Sequence, residues 1–146
     1  MQFLSENRRA CFDYEILATL EAGIELLGHE VKSVKAGRLN LSGTHVLIRG
    51  NEAWLLNAQI PPYQPKNISE AYDPKRGRRL LLRREEIKNL SGKLTDKRFH
   101  LIPLSAYLKK GLIKLELGLG RSRKKEDKRE LLKSKAAERE IRRAGS

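Results

Sequence analysis

The chain has 146 residues, with 31 Lys and Arg against 18 Asp and Glu, a formal net charge of +13 and a hydrophobic fraction of 39%. That length suits one folded core and no second. No apolar run approaches the roughly 18 residues that span a bilayer, and the N-terminal MQFLSENRRA lacks the apolar stretch of a signal peptide, so a cytoplasmic protein without a membrane partner is expected. Cys11 is the only cysteine, which excludes an intramolecular disulfide and a thiolate zinc cluster.

Taken in chain order, residues 14–21 alternate, with Tyr14, Ile16, Ala18 and Leu20 on one face and Glu15, Leu17, Thr19 and Glu21 on the other, the period of a half-buried strand. Ala22-Gly23 reads as a break, after which Ile24 to Leu27 resumes as a hairpin partner. Gly28 to Gly37 places Leu27, Val31 and Val34 at helical spacing and ends on a glycine suited to a helix stop, so it is expected to be a short helix. Thr44–Ile48 and Ala53–Gln59 flank the turn signal Gly50-Asn51-Glu52 and should pair antiparallel. Residues 61–79, rich in Pro, Gly and charge, read as a surface loop, and Leu80 to Leu90 as a helix closed by Ser91-Gly92. Leu101–Leu108 and Leu112–Leu119 read as two strands joined by Lys109-Lys110-Gly111, with Ile113, Leu115, Leu117 and Leu119 on the buried face.

Short strands at hairpin spacing favour closure, because a barrel removes exposed edges. The expected fold is mainly β: an OB-fold-like closed antiparallel six-stranded β-barrel over residues 1–120, with two to three short helices. Residues 121–146 hold only Leu131, Leu132 and Ile141 as large apolar side chains and cannot build a core. They are expected to be a basic C-terminal tail, disordered when free. Glu138 with Arg142 and Glu130 with Lys133 would support a helix once a template holds it; a flexible solubility tail is the plainer reading.

The charge is divided unevenly. Residues 1–70 carry 7 basic and 8 acidic side chains, whereas residues 71–146 carry 24 and 10. The two densest blocks are residues 75–88, with seven basic side chains, and residues 121–146, with eleven. Such blocks suit phosphate neutralisation with counterion release, and no amphipathic apolar face accompanies them as membrane binding would require. Catalytic patterns are missing: His29, His45 and His100 are scattered, and Gly118-Leu119-Gly120-Arg121-Ser122-Arg123 lacks the third glycine of a dinucleotide loop. A non-enzymatic protein with no cofactor and no metal is expected. Three Phe, four Tyr and one Trp leave few stacking platforms, so a folded RNA fits better than an extended single strand.

The ordered motifs Asn7-Arg8-Arg9-Ala10, Asp13-Tyr14-Glu15-Ile16, Glu21-Ala22-Gly23-Ile24, Gly28-x-Glu30-Val31-Lys32-Ser33, Pro62-Tyr63, Asp73-Pro74-x-Arg76-x-Arg78-Arg79-Leu80-Leu81-Leu82, Glu86-Ile87, Pro103-Leu104-x-x-Tyr107 and Asp127-Lys128-Arg129-Glu130 resemble those of the SmpB, or SsrA-binding, family over about residues 5 to 144. The resemblance implies an OB-fold protein that binds the tRNA-like domain of transfer-messenger RNA (SsrA RNA) and accompanies it to stalled ribosomes for trans-translation. The barrel would stand in for the missing anticodon arm, and the tail would enter the empty mRNA channel at the decoding centre, against 16S rRNA, and fold there as a helix. Elongation factor Tu would be met only indirectly, through the charged RNA. Carried over residue by residue, Asn7, Glu21 and Leu81 match positions important for RNA binding, and Arg83 sits where the family often has His or Asn. Arg8, Lys32, Arg76, Arg78 and Arg79 join them on electrostatic grounds. Glu21 can only accept hydrogen bonds, from RNA or from a protein donor in a hairpin salt bridge, and Leu81 suits a core position equally well. In the tail, the resemblance implies ribosome contacts from Arg123, Lys124, Asp127, Lys128, Arg129, Lys133, Arg139, Ile141 and Arg142. Phe12 stands where the family often has His, and Glu126 replaces an aromatic or His. A structural ribosomal protein fits the composition and charge equally well, and only the motif string argues against it; a general RNA-binding OB-fold protein is the weaker alternative, which the scarcity of free aromatics disfavours.

Overall fold

The structure is a computed structural model that describes residues 1–64 and 71–144, with side chains as far as residue 134. Its elements in chain order are β1 (Gln2–Glu6), α1 (Ala10–Asp13), β2 (Tyr14–Ile24), α2 (Gly28–Lys35), β3 (His45–Arg49), β4 (Glu52–Leu56), β5 (Arg78–Leu81), α3 (Arg84–Lys93), β6 (Phe99–Lys109), β7 (Leu112–Ser122) and α4 (Lys125–Ala144). The strands form one antiparallel sheet in the order β1-β6-β7-β2-β5-β4-β3. It curls round a single apolar cluster that includes Val34, Leu41, Val46, Leu55, Ile60, Leu80, Leu101, Leu115 and Leu117.

The long hairpin of β6 and β7 is the sheet's backbone. Its register runs from Phe99 opposite Arg121 to Lys109 opposite Leu112, and Lys110 and Gly111 close it, both at positive φ (51° and 79°). Two left-handed residues in succession give the twist that a two-residue hairpin needs.

Three expectations are corrected. Ala22-Gly23 does not end a strand: β2 runs unbroken along β7 to Gly23 opposite Lys114, where it also meets β5, with Gly23 opposite Leu81. A Cβ on Gly23 would lie 3.2 Å from the Leu81 Cβ, so the glycine marks a close approach of side chain to strand. The expected helix from Leu80 is a strand followed by a helix. Arg78 and Leu80 are buried while Arg79 and Leu81 are exposed, which is strand alternation, and α3 begins only after the Arg83 N–H donates to the Glu86 carboxylate at 3.0 Å.

The third correction concerns closure, because the sheet has seven strands and is open. Two strands are new, β1 and β5, while the expected partner strand from Ile24 to Leu27 does not form, Ile24 ending β2; β1 pairs with β6 from Gln2 opposite Leu108 to Glu6 opposite Ser105. Pairing then stops where Pro103, which has no N–H, enters β6. The Asn7 amide and backbone N–H instead donate to the carbonyls of Pro103 and Leu104 at 2.9 and 2.8 Å. Among the described residues β3 pairs only with β4, and its free edge approaches the first half of β6 without a ladder. The gap is a cavity of about 800 Å³ lined by β3, the start of β6, the end of α3 and residues 7–14. No helix among the described residues is long and apolar enough to cross a membrane.

Candidate nucleic-acid interface

Beneath the basic segment lies a buried ionic cluster. Glu30 is the third residue of α2, and its carboxylate accepts from the Leu27 N–H at 2.8 Å, capping the helix. The same carboxylate accepts from Arg78 Nε and Nη2 at 2.8 and 2.6 Å, from Arg76 Nε at 3.1 Å and from Arg76 Nη2. Arg78 Nη1 also donates to the carbonyls of Ala58 (2.8 Å) and Arg76 (3.0 Å), and Nη2 to Pro74 (3.0 Å), so every guanidinium N–H is engaged. The Tyr72 hydroxyl accepts from Arg78 Nη2 at 3.0 Å and has one hydrogen to share between Glu30 at 2.9 Å and the Ile60 carbonyl at 2.8 Å. Burial alone would push the Glu30 carboxyl up; hydrogen bonds from Arg76, the Leu27 amide, Arg78 and Tyr72 outweigh it and hold the group at about 2.

This cluster decides which cations reach solvent. Arg78 has 0% exposure and is removed from the expected phosphate contacts, because its charge is spent on Glu30 and the loop carbonyls. Arg76 is half-buried on the same carboxylate. Lys75, Arg79, Arg83, Arg84 and Lys88 are exposed, with Arg79 only 3.8 Å from Glu25 and Arg83 3.7 Å from Glu86, loose pairs that leave both guanidinium groups open to a stronger anion. Lys32 is exposed in the last turn of α2, and Arg8 is exposed at 4.0 Å from Glu6.

Leu81 is 49% exposed beside Gly23, where it lines a smaller cavity of about 230 Å³ with Ile24, Val31, Leu112 and Lys114. It is thus a surface residue of β5. Asn7 lines the larger cavity instead, so the two residues flank different depressions. Glu21 accepts from the Tyr107 hydroxyl across the sheet and from Lys109 Nζ at 3.3 Å. Both donors stand on β6, two strands away, rather than in a hairpin with Glu21. The Tyr107 bond, aided by Lys109 and Lys114 and opposed by desolvation, holds the Glu21 carboxyl below its ordinary value. Burial, the Glu21 bond and the negative charges of Glu21 and Glu116 push the Tyr107 phenol up.

The tail root is held differently. The Arg123 N–H donates to the Asp13 carbonyl at 2.9 Å and its Nε to the Cys11 carbonyl at 3.3 Å. Asp127 accepts from the Lys124 N–H at 3.3 Å. Lys128 lies 3.2 Å from Asp13 and 5.7 Å from the centre of the Phe12 ring, with Arg9 at 5.9 Å from the same ring. Phe12 is therefore a half-buried platform between two cations, outside the apolar core. Arg129 and Lys133 are exposed on α4; the side chains of Arg139, Ile141 and Arg142 lie outside the described residues.

Sequence reasoning passed over Glu30, Tyr72, Tyr107 and Lys109 as site residues. An acid third from a helix start was a visible capping signal for Glu30, but its arginine partners lie 46 and 48 residues away. Nothing local announces the Tyr107 bond to Glu21, 86 residues distant.

Known proteins resemble this chain in sequence and in fold. A family model described as SmpB protein matches residues 4–146. The chain is 50% identical over 144 residues to the SsrA-binding protein of Synechococcus elongatus, covering 99% of this chain and 94% of that one. It is 51% identical over 136 residues to the SsrA-binding protein of Chlorobaculum tepidum, covering 92% and 86%. A solved structure described as "tmRNA-SmpB: a journey to the center of the bacterial ribosome" superposes with a TM-score of 0.69 at 42% identity, covering 88% of this chain and 93% of that one. On this evidence of sequence and fold along almost its whole length, the chain belongs to the SmpB family.

Proposed function

We propose that this protein binds the tRNA-like domain of transfer-messenger RNA through the sheet and delivers that RNA to stalled ribosomes for trans-translation. Full-length similarity to SsrA-binding proteins carries the reading. The exposed cations Lys75, Arg79, Arg83, Arg84 and Lys88 support a phosphate-binding surface around β5 and α3. Glu21 and Leu81 then act by shaping that surface, Glu21 by ordering Tyr107 and Lys109 and Leu81 by offering an apolar contact beside Lys114, while Asn7 acts at the larger cavity, where it holds the Pro103 and Leu104 carbonyls of β6. The segment after β7 forms the second contact, loosely held when free and helical along the ribosomal mRNA channel at the decoding centre. The helical α4 and its shallow contact with α1 support a tail that detaches as a unit.

The test is binding of the purified protein to the tRNA-like domain and to a plain RNA hairpin of equal length. Clear preference for the former is expected, and equal affinity overturns the reading. Deleting residues 121–146 is expected to leave this binding intact and abolish tagging of nascent chains on stalled ribosomes. Tagging at the full rate would remove the tail from the mechanism.

A further inference from the structure

The basic segment contains a contradiction that its charge count hides. Its motif supplies Arg76, Arg78 and Arg79 within four residues, yet Arg78 faces inward and has no surface at all. The inward guanidinium collects the carbonyls of Pro74 and Arg76 from its own loop and that of Ala58 from the end of the preceding β-hairpin. Asp73 folds the other side of the same loop, accepting from the Lys75 N–H at 2.9 Å through its side chain and from the Arg76 N–H at 3.1 Å through its carbonyl. Ile60 N–H donates to the Pro74 carbonyl at 2.9 Å. The carbonyls of Asp73, Pro74, Arg76 and Gly77 are thus taken up by donors, and Lys75 and Arg79 are left exposed on the outside.

We infer that Glu30, Arg78 and Tyr72 are positioning residues for RNA recognition, which hold the Asp73–Arg79 segment in one phosphate-receiving shape without touching the RNA. This rests on the RNA-binding reading above and adds to it a cause: a lysine and an arginine on an ordered loop bind without the entropy of ordering them, whereas the same charges on a loose loop do not. Glu30 is central because it joins the helix cap at Leu27 to both arginines, so α2, β5 and the loop share one carboxylate. Tyr72 adds a neutral wedge whose hydroxyl joins Arg78 to the Glu30 and Ile60 oxygens.

The experiment measures affinity of full-length wild type, Glu30→Gln and Tyr72→Phe for the tRNA-like domain over a range of salt. Leu117→Val and Leu117→Ala, in the core away from the loop, serve as controls of known stability loss in urea. Tyr72→Phe is expected to weaken binding about fivefold, the worth of one hydrogen bond. Glu30→Gln is expected to weaken it by roughly tenfold or more, as pre-organisation is lost. In both, the slope of log K against log salt becomes shallower by about 1 to 2 as phosphate contacts go. The Leu117 variants remain within about twofold of wild type, as distant sites do. Tyr72→Phe binding like wild type overturns the inference, as do Leu117 controls that lose as much at equal stability. Should Glu30→Gln not fold, Tyr72→Phe decides alone. The two readings fail separately: wild type binding hairpin and tRNA-like domain equally overturns the proposed function, while a Tyr72→Phe loss on both RNAs would still support the loop's anchoring.

Discussion

The two basic regions carry similar charge and are held in opposite ways. Around residues 72–88 the cations stand on a buried ionic cluster with eleven hydrogen bonds converging on one carboxylate, one guanidinium and one phenol. From Lys125 onward the cations stand on a helix, α4, whose described side-chain contacts with the rest of the molecule are those of Lys128, paired with Asp13 of α1 and near the Phe12 ring. Charge alone therefore does not define a binding surface. A preformed site suits a folded RNA recognised by shape, and a loosely held one suits a segment that orders on its target.

The sharpest way to break this contrast is Arg78→Ala. It leaves Glu30 buried with one of its two arginine partners gone, and the loop and Ala58 carbonyls without their donor, and is expected to cost about 3 to 5 kcal/mol in urea unfolding; a loss under about 1 kcal/mol, the range of exposed pairs, would make the cluster no more than the tail contacts are. Acid gives the next effect. Glu30 is depressed in the folded state from 4.5 to about 2, so its stabilisation is fully present above about pH 4.5 and disappears as pH falls toward 2. This amounts to about 3 kcal/mol. Glu30→Gln is expected to flatten the urea stability profile across that window, whereas deleting residues 121–146 leaves it unchanged. Tyr107→Phe is expected to cost about 1 kcal/mol and to move the Glu21 titration, followed by carboxyl NMR, upward toward its ordinary value. Smallest of all is Lys128→Ala, which removes a partly exposed pair and is expected to change stability by less than about 0.5 kcal/mol, an effect that salt erases.

Much of the architecture was legible from pattern. The β3–β4 and β6–β7 hairpins and α2 stand close to where alternation, turn residues and helical spacing put them, because each is decided by neighbours within a dozen residues. Errors fell where distant partners decide. Gly23 looked like a breaker and is a seat for Leu81. Leu80-Leu81-Leu82 has no period of its own, and pairing with β2 and β4 makes its first two residues strand. β1, with its mostly exposed face, carries little signal and exists because β6 offers it an edge.

The same division runs through the site. The placement of charge in the second half determined by itself that there are two basic segments, and the ordered motifs by themselves pointed to the SmpB family. Only the tertiary structure decided that Arg78 is an internal support and Arg79 an outward cation, that Glu21 faces a tyrosine, and that the sheet stops short of closing between β3 and β6. The physical reason is that charge is a property of a residue, whereas burial and hydrogen bonding are properties of residues brought together from far apart in the chain.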